Sequence, residues 1–133
     1  MSTKISYLTP KKPIDFERYR YFALVNRMID GDTIEVDLLL GLDVKIRQTL
    51  RLARIDAWEV KGNEKELGIT AREALTELFI DNIDNEVIIE TIKDKKGKYG
   101  RYLAEVWMKM PDGDLININD WVVENGHGEY RDY

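Results

Sequence analysis

The stretch from Tyr21 to Leu52 constrains this chain most, because it alternates between apolar and polar residues and reverses twice. Tyr21 to Met28 is rich in apolar residues and runs into Asp30-Gly31, a dipeptide that favours a tight turn. Thr33-Ile34-Glu35-Val36-Asp37-Leu38 then alternates with period two, and Gly41 marks a second reversal. Beyond it Val44, Ile46, Leu50 and Leu52 share one parity, interrupted by Gln48, while Lys45, Arg47, Thr49 and Arg51 share the other. Successive side chains of a strand point to opposite faces, so each run predicts a strand with one buried face. Strands joined by such short turns make an antiparallel meander.

Farther along, Thr70 and Glu73 have capping-box spacing and predict a helix start. Ala71, Ala74, Leu75, Leu78 and Phe79 fall on one face of that helix. Val87–Ile92 returns to strand, a basic loop follows over Lys93–Gly100, and another strand runs from Arg101 to about Met110. Pro111-Asp112-Gly113 turns the chain, and a short helix over Asn119–Asn125 stops at Gly126. Residues 1–20 are polar, hold two of the three prolines and predict an irregular N-terminal arm, leaving 21–133 as one domain. The order predicts a β-rich α+β fold: a five-stranded, partly open Greek-key barrel of the OB type, with two helices, one of them between the third and fourth strands.

Composition narrows the chemistry. Without cysteine there are no disulfides, thiolate zinc sites or cysteine nucleophiles, and the single histidine, His127, rules out a histidine-rich metal centre. Carboxylates, arginines, lysines and tyrosines remain, and carboxylate donors suit Ca²⁺ or Mg²⁺. No apolar run is long enough to span a membrane and the first residues lack a secretion signal, so a cytoplasmic, membrane-free monomer is expected. The net charge of −5 is uneven: residues 1–54 carry +3 and residues 55–133 carry −8. Weak non-specific affinity for nucleic acid is therefore expected, with any positive charge confined to a site.

Three clusters stand out: Asp30-Gly31-Asp32-Thr33, then Arg51-Leu52-Ala53-Arg54-Ile55-Asp56-Ala57-Trp58-Glu59, then Lys98-Tyr99-Gly100-Arg101. Each alone has a structural explanation as a turn, a solvated strand or a loop end. Together they offer what phosphodiester hydrolysis needs. Two carboxylates from different segments can share a hard cation, a third can sit behind a water, and two arginines can grip the non-bridging oxygens as their charge grows.

In these motifs the sequence resembles the staphylococcal nuclease-like (thermonuclease) domains from about Tyr21 to Gly126. The carriers are Asp30-Gly31-Asp32-Thr33-Ile34, Arg51-Leu52-x-x-Ile55-Asp56-Ala57-x-Glu59 and Tyr99-Gly100-Arg101, with Asn119 and Gly126 around the second helix. The resemblance implies an OB-like barrel and a Ca²⁺-dependent nuclease. By it, Asp32, Asp56 and the Ala57 carbonyl would bind Ca²⁺, with Thr33 supporting the acids through its hydroxyl. Glu59 would position the attacking water as a general base, and Arg51 and Arg101 would hold the scissile phosphate. Lys98 and Tyr99 match positions near a terminal phosphate of the nucleotide. The products would carry 3′-phosphate and 5′-hydroxyl ends, from single-stranded or frayed DNA, or RNA, cut with little sequence preference. Trp58 departs from the proline usual there, which loosens the loop; it is a candidate for stacking on a base, or for packing on the barrel.

A second reading is a non-catalytic OB-type module that binds nucleic acid or a protein. A third is an interaction domain presenting the acidic face of residues 55–133 to a basic partner.

Overall fold

The computed structural model describes residues 19–59, 62–80, 86–96 and 100–131. The expected arm over residues 1–20 falls outside them except at its end, where Arg20 already opens the first strand. Strands β1 (Arg20–Asp30), β2 (Thr33–Gly41) and β3 (Val44–Leu52) form the expected meander. β4 (Ile55–Ala57) is short; helix α1 (Lys65–Ile80), β5 (Glu86–Lys96) and β6 (Tyr102–Lys109) follow. Then come β7 (Leu115–Asn117), helix α2 (Ile118–Glu124) and β8 (Gly128–Tyr130). The main sheet runs β3-β2-β1-β5-β6-β7, and parallel pairing of β3 with β6 closes it into a five-stranded barrel. The barrel is thus closed rather than partly open.

Alternation explains the interior. Ala23 and Val25 of β1, Ile34, Val36 and Leu38 of β2, and Leu50 and Leu52 of β3 point inward. They meet Val87 and Ile89 of β5 and Ala104, Val106 and Met108 of β6. Met28 breaks the period of β1 yet is buried, because the register slips between Val25 and Arg27 and an extra residue re-aims the strand. Each large aliphatic side chain so buried contributes about 1.5–3 kcal/mol. Leu75 and Phe79 of α1 and Ile118 and Val122 of α2 join this core.

The structure departs from the expected elements in three respects. Val44 and Ile46 share parity with buried Leu50 but are 48% and 42% exposed, because the β2–β3 hairpin extends past the barrel. Helix α1 starts at Lys65, after a 3₁₀ turn over Gly62–Glu64, so Thr70 is interior to it. Its hydroxyl donates to the Glu66 carbonyl at 2.9 Å instead of capping anything. The three short strands β4, β7 and β8 were not expected.

The α2 stop is as expected. Gly126 takes φ of 77°, with Gly126 N–H on Val123 O at 3.1 Å and His127 N–H on Val122 O at 2.8 Å, a Schellman closure. At its start the Asn117 side chain accepts from Asp120 N–H at 2.9 Å. β8 then pairs with β4, Ala57 opposite Gly128 and Asp56 opposite Glu129. That pairing brings the last described residues back to the corner beyond β3.

Candidate active site

Asp32 stands in the two-residue turn between β1 and β2, where Asp30 pairs with Thr33. Its carbonyl accepts Leu52 N–H at 2.8 Å, which fixes the turn against the end of β3. Gly31 makes the approach feasible: a Cβ there would lie 2.9 Å from that of Ala57 and 3.1 Å from that of Ala71. The Asp32 carboxylate accepts Ala57 N–H at 3.0 Å on one oxygen and the Thr33 hydroxyl at 3.1 Å on the other. The Thr33 hydroxyl thus makes the supporting contact expected of it, and the Ala57 backbone lies beside the carboxylate.

Arg51, next to last in β3, lies opposite Thr33 and turns its guanidinium into the same corner. Nη1 donates to the carbonyls of Leu52 at 2.7 Å and Ile55 at 3.1 Å, bracing the chain that leads to Asp56. Nη2 lies 3.3 Å from an Asp32 oxygen and 3.1 Å from an Asp56 oxygen. Two carboxylates from distant segments therefore meet on one cationic nitrogen. Asp56 is held on its other oxygen by Arg131 at 2.8 Å.

Burial pushes the Asp32 carboxyl above its ordinary range, against the lowering pull of Arg51, the Ala57 N–H and the Thr33 hydroxyl, and Asp56 adds to the rise. The site already costs something to ionise, and further positive charge beside it would favour the carboxylate.

Arg101 immediately precedes β6. In the parallel β3–β6 ladder Leu50 faces Tyr102 and Arg51 faces Leu103. Arg101 thus stands two residues before Leu103, the partner of Arg51 in that ladder.

Glu59 is exposed, and its N–H donates to the Glu64 carboxylate at 3.1 Å. With Asp56 and Trp58 it lines a cleft of about 400 Å³ beside the paired aspartates. Among the described residues no group of three or more acid or histidine side chains is assembled that could hold a metal ion. Trp58 is half-buried and pinned, its indole N–H on Gly126 O at 2.9 Å and its backbone N–H on His127 O at 3.0 Å. The loop that lacks proline is thereby tied to the end of α2. Lys98 and Tyr99 lie outside the described residues.

Two features had no sequence signal. Arg131 reaches Asp56 only because the three-residue strands β4 and β8 pair. Arg54, at φ of 66°, forks onto Glu105 with two 2.7 Å bonds and reaches Asp120 at 2.9 Å, locking the same corner to β6 and α2.

A family model described as staphylococcal nuclease homologue matches residues 49–133. The chain belongs to the staphylococcal nuclease homologue family. The matched span takes in Arg51, Asp56, Glu59 and Arg101, and begins after the turn that carries Asp32. The closed five-stranded barrel with two helices agrees with this membership. An uncharacterized protein of Methanocaldococcus jannaschii is 26% identical to this nuclease homologue over 121 residues, covering 80% of the chain. The chain spans 58% of that protein's length.

Two aspartates beside the Ala57 backbone offer oxygen donors of the class a hard dication takes. Paired aspartate oxygens already converge on one positive centre, the Nη2 of Arg51. Oxygen ligands without sulfur or imidazole suit Ca²⁺.

Proposed function

We propose that this chain is a Ca²⁺-dependent phosphodiesterase that cuts DNA or RNA with little sequence preference. The observation that carries the reading is the meeting of Asp32 and Asp56 on Arg51, beside the strand that Arg101 precedes. Asp32, Asp56 and the Ala57 carbonyl would hold the ion, which supplies Lewis-acid polarisation of the phosphate. Arg51 and Arg101 pair with the non-bridging oxygens, whose negative charge grows toward the transition state. Glu59 takes the proton of a water that attacks phosphorus in line. The bond from phosphorus to the 5′ oxygen breaks, Arg101 donates a hydrogen bond to the departing oxygen, and that oxygen takes a proton from solvent water to become the 5′-hydroxyl. The other product ends in a 3′-phosphate. Single-stranded or frayed substrate suits a site at a barrel corner, where a backbone must bend to reach paired acids.

One observation favours the non-catalytic alternative: both Asp56 oxygens are already held by arginines. The two readings separate on incubation with single-stranded DNA and RNA in Ca²⁺ or in chelator, with the ends of the products mapped. The enzyme cuts only with Ca²⁺, and Glu59→Gln loses the cutting. Binding without cutting sinks the enzyme in favour of the module.

A further inference from the structure

We propose that Arg131 is a positioning residue of this site. It holds Asp56 while no dication is bound, yields the carboxylate to the ion, and then pairs with a phosphate next to the scissile one. The inference rests on the phosphodiesterase reading and extends it to a residue that none of the three sequence clusters contains.

Both oxygens of Asp56 are held by guanidinium groups, Arg51 Nη2 at 3.1 Å and Arg131 Nη1 at 2.8 Å. An ion that takes Asp56 directly sets a double positive charge against both guanidinium groups, and the repulsion loosens the one less firmly held. The two are not equally bound. The Arg51 side chain is 15% exposed and is also tied to Asp32 and to two carbonyls, whereas that of Arg131 is 58% exposed. Arg131 is therefore the one that leaves, at the small cost typical of an exposed pair.

Its destination follows from the charges around it. The cleft beside Asp56 is also lined by Glu59, Glu64 and Glu129, and Arg131 is its one cation among the described residues. A polyanionic backbone can approach such an acidic wall only where positive charge offsets it. A freed guanidinium offers paired donors matched to phosphate oxygens. Neutralising Asp56 with a dication and releasing Arg131 thus prepare the same cleft for the substrate chain.

The test is calorimetric titration of the full chain with Ca²⁺ alone, then of the Ca²⁺-loaded chain with a nucleoside 3′,5′-bisphosphate. Arg131→Ala and Arg131→Lys are compared with the parent. Arg131→Ala should tighten Ca²⁺ about two- to five-fold without nucleotide, and weaken the bisphosphate about ten-fold. Arg131→Lys should fall between. Calcium affinity unchanged or weakened in Arg131→Ala overturns the proposal, as does bisphosphate affinity equal to the parent's. A parent that binds both ligands but cuts nothing loses the catalytic reading and leaves the Arg131 assignment standing. A parent that cuts while its Arg131 variants titrate identically loses this assignment alone.

Discussion

Replacing Asn119 is expected to cost this fold more than any surface change near the site, and the amount can be worked from its bonds. The side chain is fully buried. Its Oδ1 accepts Val106 N–H at 3.0 Å, and its Nδ2 donates to Ala53 O at 2.8 Å and Ala104 O at 3.0 Å. Ala104 O also receives Ala53 N–H at 2.8 Å, so it keeps a partner when the side chain goes. Asn119→Ala therefore strands the Val106 N–H and the Ala53 carbonyl, at about 1–3 kcal/mol for each buried orphan, or about 2–6 kcal/mol together. Domains of this kind have about 5–15 kcal/mol in all. Asn119→Asp keeps the bond from Val106 but turns an anionic oxygen toward two carbonyls, and should be worse than alanine at neutral pH. The buried carboxyl would titrate above its unfolded value, so its penalty is present above the folded pKa and is relieved as pH falls through it. Urea unfolding measures this: with a slope of about 1–3 kcal/mol per molar, the midpoint should fall by about 0.7 M or more. An alanine variant within 1 kcal/mol of the parent, or an aspartate variant more stable than alanine at pH 7, would refute the reasoning.

Gly128→Ala should destabilise more than Gly31→Ala, because its Cβ would meet the backbone of Asp56 and Ala57 at 2.6 and 2.8 Å, whereas that of Gly31 meets side-chain methyls at 2.9 and 3.1 Å. Overpacking costs about 1–3 kcal/mol, and thermal melts that rank the two in reverse would count against the β4–β8 contact. Burial lowers the pKa of His127, so the folded chain resists a proton that the unfolded chain accepts. Stability should therefore fall as pH drops from about 6.5 toward the depressed value, and His127→Gln should flatten that part of the curve; an unchanged slope assigns it to other groups. Arg101→Ala should lower kcat by about 10²–10³ if its guanidinium meets charge that develops in the transition state, and a rate within a few-fold of the parent removes it from that role.

The barrel was legible because its strands alternate: the inward rows of β2 and β5 follow directly from period two. Val44 and Ile46 were misjudged because alternation reports which face a residue takes, and not how far a hairpin runs past the core. The start of α1 was missed because Thr70 and Glu73 satisfy a capping pattern that five further helical residues override, from Lys65 to Ile69. Asp32, Arg51 and Asp56 were recognisable because turn and strand chemistry keep them in short local motifs. Arg131 was not, since only the fold returns β8 to β4, and three-residue strands leave no periodic trace. Glu59 lay in the same motif and lines the cleft with Asp56.

Arg51 explains how a chain of net charge −5 can fold two acids against each other before any ion arrives. Unpaired, a half-buried aspartate beside a second one would neutralise itself by taking up a proton. Nη2 offsets both, and Nη1 ties the same side chain to the carbonyls on either side of the corner, so the charge cannot swing away freely. The carboxylates are thus preformed at a mutual spacing set by one nitrogen, and ordering them is part of folding rather than of binding. The same bracing limits Arg51 as a phosphate ligand: it can turn to an oxyanion only with the end bonded to the aspartates. Arg51→Lys keeps the charge but loses the second arm, so it should separate the two duties. Stability should fall toward that of Arg51→Ala if the carbonyl bonds dominate, measured by urea unfolding in chelator. Stability close to the parent would mean that charge alone holds the corner, and would remove the bracing from the account.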